Sequence, residues 1–145
     1  MGFWLYRVVA SIHRLLTAAS SALRRLGLAA YTVHRRDPGY PLTAALSDDD
    51  SWLRARALRV VGQLGRVALL PLLQHNLTVD DGLCRFSAAW SAALLGDMGA
   101  IPTLQAMASF DHLYREEAVK MALRRMDLTA AHAWRQALAH KPDTM

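Results

Sequence analysis

Apolar residues in the first quarter of the chain recur at steps of three and four. Leu5, Val8, Val9, Ile12, Leu15, Leu16, Ala19, Leu23 and Leu26 fall on one face of a helix, with Arg7, Ser11, Arg14 and Ser21 mostly off it. Gly27 interrupts this run without having to end it, at a cost of about 1 kcal/mol, and a second short helix can continue over 28–35. Asp37-Pro38-Gly39 is a strong stop, because Pro38 disfavours helical geometry at Asp37. No stretch alternates with period two over a useful length, so no strands are expected.

From Pro41 onward the pattern repeats. Pro41, Pro71 and Pro102 stand 30 and 31 residues apart. An aspartate follows each by nine residues: Asp50, Asp80 and Asp111. An arginine follows by 13 or 14, as Arg54, Arg85 and Arg115, and an alanine three further on, as Ala57, Ala88 and Ala118. Two units close with Leu64-Gly65 and Leu95-Gly96, and the third reads Arg125-Met126. Three matched units of this length are the signature of a repeat architecture.

Each unit has a physical reading. Proline suits a first helical turn, where its missing N–H costs nothing. Short first helices are expected over 41–47, 70–78 and 101–109, then acidic turns at 48–51, 80–82 and 111–112. Second helices follow over 52–64, 83–95 and 113–125, capped by Asp50 or Ser51, Asp81 and Asp111. Gly65 and Gly96 stand where a left-handed residue ends a helix. Ala88, Ala89, Ala92 and Ala93 permit close helix approach, while Leu58, Val61, Leu64, Phe86, Trp90, Leu94 and Met121 fill the space between layers. One such hairpin cannot bury its apolar face alone, but stacked neighbours can. The expected fold is all-α: an α-solenoid of stacked antiparallel helix hairpins in a right-handed superhelix. Its parts are a basic amphipathic helical segment, 1–36, with no clear copy of the unit in its first 30 residues; three repeats, 37–127; and a capping helix with a tail, 128–145. The last helix, about 128–139, has Leu128, Ala131, Trp134, Ala137 and Leu138 as its apolar residues.

The formal charge of +5 is uneven. Residues 1–36 hold six arginines and no acid, whereas residues 37–145 hold 11 bases against 12 acids. A uniformly basic nucleic-acid binder would not distribute charge this way. Arg7 and Arg14 interrupt any signal-peptide core, and Tyr6 breaks the myristoylation pattern. An arginine-rich, acid-free start has something of a transit peptide. The 1–26 helix can cap the first repeat, bind a partner helix, or lie on an anionic membrane surface through Phe3, Trp4 and Tyr6. A homodimer through residues 1–36 is a further expectation.

Catalytic and metal chemistry find little support. One cysteine excludes an intramolecular disulfide framework, and its apolar flanks fit a reducing compartment. Cys84 is expected packed at a helix start, where a lowered pKa would make it reactive to labels. His13, His34, His75, His112, His132 and His140 include no pair three or four apart, so no helix face offers a ready metal pair; His75 and His112 are expected at the surface. Asp48-Asp49-Asp50 reads as a solvated loop, short of the six to eight oxygens of a good calcium site. The recurring aspartates and arginines read as helix caps with Arg–Asp pairing between neighbouring turns. Trp90 reads as core, and core packing is slightly favoured for Trp52 too.

Paired short helices with an aspartate in the turn and an arginine opening the second helix resemble HEAT-like repeats of the short bacterial, phycobilisome-lyase type. The stretches LSDDDSWLRARALRVVGQLG and DDGLCRFSAAWSAALLGD carry the resemblance. More narrowly, LRARALRVVGQLGRVALLPLL followed by CRFSAAWSAALLGD is similar to a group of proteobacterial HEAT-repeat proteins, some linked to type VI secretion gene clusters. The resemblance implies a bacterial, cytoplasmic, non-catalytic scaffold for protein–protein interaction, accessory to a secretion or envelope assembly. It implies no catalytic residue, cofactor or metal. Relatives of this repeat type also include a di-iron hydroxylase and DNA glycosylases. The chain has no His-Glu dipeptide for the iron, and its repeats are nearly neutral, which argues against the basic DNA face. A nucleic-acid-binding module is the alternative. Trp52, Arg56, Arg59 and Arg85 are the expected partner-binding residues.

Overall fold

A computed structural model describes residues 14, 17–33, 40–109 and 114–139. Among the described residues every regular element is helical. The helices are α1 Ser21–Val33, α2 Tyr40–Ala45, α3 Ser51–Gln63, α4 Leu70–His75, α5 Gly82–Leu94, α6 Ile101–Ala108, α7 Arg115–Arg125 and α8 Leu128–Ala139. Short 3₁₀ turns cover Val67–Leu69, Asn76–Thr78 and Met98–Ala100. Helices α2–α3, α4–α5 and α6–α7 form the three hairpins, and the fold is the expected all-α stack.

The punctuation works through local hydrogen bonds. Pro41, Pro71 and Pro102 each stand second in their helix. Asp50 caps α3 by accepting from the Trp52 and Leu53 N–H groups, and Asp81 caps α5 by accepting from Cys84 N–H. Gly65 and Gly96 adopt φ of 69° and 95°. Beyond them the N–H groups of Arg66 and Asp97 return to the carbonyls of Val61 and Ala92, which closes both helix ends alike. The third unit has no glycine there. Its chain turns extended at Met126, and Asp127 accepts from Ala130 N–H to start α8.

The arginine of each of the three hairpins clamps a backbone carbonyl of its own turn, while Arg–Asp pairing between neighbouring turns is made by Arg24 with Asp48 and Arg25 with Asp50. Arg54 Nη1 donates to the Asp48 carbonyl at 2.6 Å, Arg85 Nη1 to the Val79 carbonyl at 3.0 Å, and Arg115 Nε to the Ala108 carbonyl at 2.7 Å. The turn entering each second helix leaves carbonyls without a ladder partner, and a guanidinium supplies charged donors for them. Asp80 is exposed and Asp81 does the capping, while Asp111 lies outside the described residues.

The same device reveals a unit that the periodicity did not. Arg24 Nη1 donates to the carbonyls of Ala18 and Ala19 at 3.0 and 2.7 Å, the first six residues back as for Arg54 and Arg85. Ser21-Ala22-Leu23-Arg24 parallels Ser51-Trp52-Leu53-Arg54, and Gly27-Leu28, buried in α1, falls where Ala57-Leu58 is buried in α3. Helix α1 therefore has the register of a second helix and packs on α3, in the place expected of a cap on the first repeat. It runs through Gly27 unbroken, because packing of its buried flank outweighs a propensity cost of about 1 kcal/mol. The non-helical stretch is instead Thr17–Ser20, where Arg24 takes the carbonyls.

The acidic run is likewise not a solvated loop. Arg24 pairs with Asp48 through two bonds of 2.8 and 3.0 Å, and Arg25 with Asp50 through two of 2.9 Å. Asp48 and Asp50 side chains are 11% exposed; Asp49 is 97% exposed. Burial pushes both carboxyls up, but the arginine hydrogen bonds and charge, with backbone N–H donors, overcome it and hold them below the usual carboxylate range. A depressed folded pKa contributes stability that is fully present above the unfolded value and lost as pH falls through the folded one. The melting temperature is therefore expected to stay flat down to about pH 4 and fall below it. Asp49→Asn should leave that acid limb unchanged, and Asp50→Asn should flatten it. An acid limb unmoved by Asp50→Asn would refute the pairing.

Helices α3 and α5 form the centre of the core. Leu53, Leu58, Val61, Phe86, Ala88, Ala89, Ala92 and Ala93 are buried there. The two helices touch at Gly62 and Ser91, and the Ser91 hydroxyl donates to the Leu58 carbonyl at 2.6 Å. At the far end, Arg125 donates to the Leu94 carbonyl at 2.6 Å and ties α7 to α5. On α8, Ala131 is buried and Trp134 packs half-buried against the core, but Leu128 is 90% exposed and Ala137 exposed too, so neither belongs to that apolar face.

Candidate functional site

Second helices with a common register carry their surface residues in parallel stripes. On α3, positions 52, 55, 56 and 59 share a helical face. The repeat carries that stripe to Leu83, Phe86, Ser87 and Trp90 on α5, and Tyr114, Glu117, Met121 and Arg124 border it from the start and length of α7. The stripes bound two open clefts. One, of about 110 Å³, lies between Trp52, Arg56 and Arg59 on one side and Leu83, Phe86 and Tyr114 on the other. The second, of about 250 Å³, is lined by Arg59, Trp90, Glu117, Lys120, Met121 and Arg124. Arg59 is the wall they share.

Stacking and ion pairing set the shape of these clefts. Phe86 and Tyr114 stack with centroids 4.8 Å apart and planes 16° from parallel, so the buried Phe86 ring backs the Tyr114 face that borders the first. Trp52 stands between two guanidinium groups, with Arg25 at 4.7 Å and Arg56 at 5.7 Å from its ring centre. Each such contact contributes about 0.5–1 kcal/mol at an exposed site. Arg59 lies 4.6 Å from the Trp90 ring centre and donates to Glu117 at 2.8 Å. Its Nε is buried with no hydrogen-bond partner among the described residues.

Of the four expected residues, the structure brings Trp52, Arg56 and Arg59 together at one cleft. Arg85 is elsewhere, holding the Val79 carbonyl at its hairpin turn. Trp52 is 39% exposed, contrary to the core packing favoured for it; it opens α3 one residue before the inward Leu53. Trp90 is half-buried rather than enclosed. Arg25, Tyr114 and Glu117 were not anticipated. Periodicity gave no pointer to Tyr114, because the repeat makes it the counterpart of the inward Leu53 and Cys84, each directly before its unit's arginine.

Reactive chemistry gathers no further support. Cys84 is buried, and burial with the neighbouring Asp81 charge pushes its thiol up, so the expected reactivity of a helix-start thiol is not realised. His75 is exposed as expected, and His112 lies outside the described residues. Among the described residues no three potential ligands gather for a metal. No helix there is long and apolar enough to cross a membrane. The membrane-surface and dimer roles expected for 1–26 and 1–36 rest largely on residues 1–13, outside the described set.

The family description HEAT repeats matches residues 40–124, more than half the chain. The chain belongs to the HEAT-repeat family. Phycocyanobilin lyase subunit alpha of Picosynechococcus sp. is 39% identical to this HEAT-repeat chain over 71 residues. That match covers 49% of this chain and 22% of the relative's length.

Proposed function

We propose that this HEAT-repeat chain is a non-catalytic scaffold that takes up a protein partner on the face formed by α3, α5 and α7. The observation that carries the reading is the open cleft pair around Trp52, Arg56 and Arg59, with an aromatic ring held between arginines at its rim. Exposed tryptophan and arginine are the residue types that most often dominate binding energy at protein interfaces. Both clefts fall short of the roughly 300–1,000 Å³ usual for a small-molecule pocket. The matched part of the lyase subunit supports the repeat stack, and the reading carries none of that protein's named activity over. The resemblance to proteobacterial HEAT-repeat proteins supports seeking the partner among components of a bacterial secretion or envelope assembly.

The test is affinity capture from the native cell with wild-type chain and with the Trp52→Ala/Arg56→Ala variant, both checked for an unchanged helical melt. A protein retained by the wild type and lost from the variant is the expected result. Identical retention by both would remove the face from consideration. The cations beside exposed aromatics also suit a nucleic acid. Affinity for DNA that falls steeply with rising salt would favour that reading, and no binding at low salt would end it.

A further inference from the structure

Resting on that reading, we propose that the partner presents an acidic extended segment with an aliphatic side chain among its carboxylates. Four cations line the two clefts (Arg56, Arg59, Lys120 and Arg124), against two carboxylates: Glu117 among them, and Glu116, exposed and 3.3 Å from Lys120. Residues 37–127 hold nine bases against eleven acids, and outside these groups five bases face nine acids, so the clefts carry a local excess of positive charge in an otherwise acidic region. The cations flank an apolar floor and do not form a continuous basic track. Leu83 and Tyr114 supply the apolar surface of the first cleft, with the buried Phe86 ring stacked beneath Tyr114, and its 110 Å³ is smaller than the roughly 150 Å³ cavity that holds one benzene. That volume suits one aliphatic side chain, and a stacked base would need more.

Glu117 shows what the site recognises. Its carboxylate sits on Arg59 at 2.8 Å, at the wall common to both clefts, while remaining 46% exposed. It occupies the place a partner carboxylate would take, and it can swing away because its side chain is half in solvent. Glu117 thus serves as an internal competitor for the arginine. Removing its charge exposes Arg59 to the incoming acid.

Binding is to be read by fluorescence anisotropy on the full chain. The probes are short labelled peptides alternating Glu with Leu, Lys with Leu, and Glu with Ser, beside a single-stranded oligonucleotide of similar length. The Glu–Leu peptide should bind about tenfold tighter than either other peptide, since steering charge and apolar anchor are both required. Glu117→Gln should tighten it severalfold. The Arg56→Glu/Lys120→Glu variant should loosen it by about tenfold or more. Arg135→Glu, on α8 and outside both clefts, should leave it unchanged. Equal affinity for the Glu–Leu and Lys–Leu peptides, or indifference to the paired charge reversal, overturns the proposal. Tighter binding of the oligonucleotide than of the Glu–Leu peptide overturns it in favour of nucleic acid. A cellular partner that depends on Trp52 and Arg56 while the peptide fails to bind would sink the acidic segment and leave the scaffold standing. Peptide binding with no such cellular partner would do the reverse.

Discussion

Replacing Phe86 by alanine should lower the unfolding free energy by about 4 kcal/mol, the middle of the range for emptying a fully buried aromatic site. Phe86 has no exposed surface, and its ring stacks on Tyr114 at 4.8 Å, a pairing that adds about 0.5–1.5 kcal/mol beyond burial alone. Such a loss lowers the melting temperature by roughly 8–16 °C in a domain of this size. The loss is expected to be uneven. Repeat stacks hold together by nearest-neighbour interfaces, and Phe86 sits where α5 meets the start of α7. Hydrogen exchange should therefore accelerate first in α6–α8, before α3. Phe86→Leu keeps most of the volume and should cost less than about 1.5 kcal/mol. A drop under 1 kcal/mol for alanine, with uniform exchange, would mean that Phe86 does not join these units.

How much of this was legible depends on the range of the interaction concerned. The proline, aspartate and glycine positions were readable because each satisfies a backbone requirement within a few residues. Helix bounds consequently came within one or two residues at α3, α5 and α8. The arginines were visible as a period, but not as carbonyl clamps, since a guanidinium that reaches back six residues looks the same in sequence as one paired across turns. Helix α1 hid its kinship because Gly27 replaces the alanine of Ala57 and Ala88, although Arg24 keeps the 30-residue spacing to Arg54. The pairing of Arg24 and Arg25 with Asp48 and Asp50 bridges more than 20 residues, and no local pattern encodes it. Trp52, Arg56 and Arg59 were found together because three residues four and three apart on one helix must share a face. Their neighbours Trp90 and Glu117 come from other units, whose relative placement only packing determines.

Valine in place of Gly62 should destabilise the fold by about 3 kcal/mol, and even alanine should be unfavourable there. In an exposed helix the alanine change would gain about 1 kcal/mol, because glycine is the poorer helix former. Here a Cβ would stand 2.6 Å from the Ser91 hydroxyl oxygen and 2.8 Å from the Ser91 Cα. The hydroxyl can rotate, but the Cα belongs to the backbone of α5, so the helices must separate. Separation also breaks the 2.6 Å bond from Ser91 to the Leu58 carbonyl, worth about 1 kcal/mol. The clash therefore outweighs the propensity gain, and alanine should cost about 1 kcal/mol net. Combining Gly62→Ala with Ser91→Gly should recover part of that loss, a coupling measurable by a double-mutant cycle of urea melts. A stabilising Gly62→Ala would show that α3 and α5 do not approach this closely. Their spacing also sets the width of the first cleft, with Trp52, Arg56 and Arg59 on one bank and Leu83 and Phe86 on the other. Gly62→Ala should therefore weaken the Glu–Leu peptide even where the chain remains folded, though residue 62 lines neither cleft.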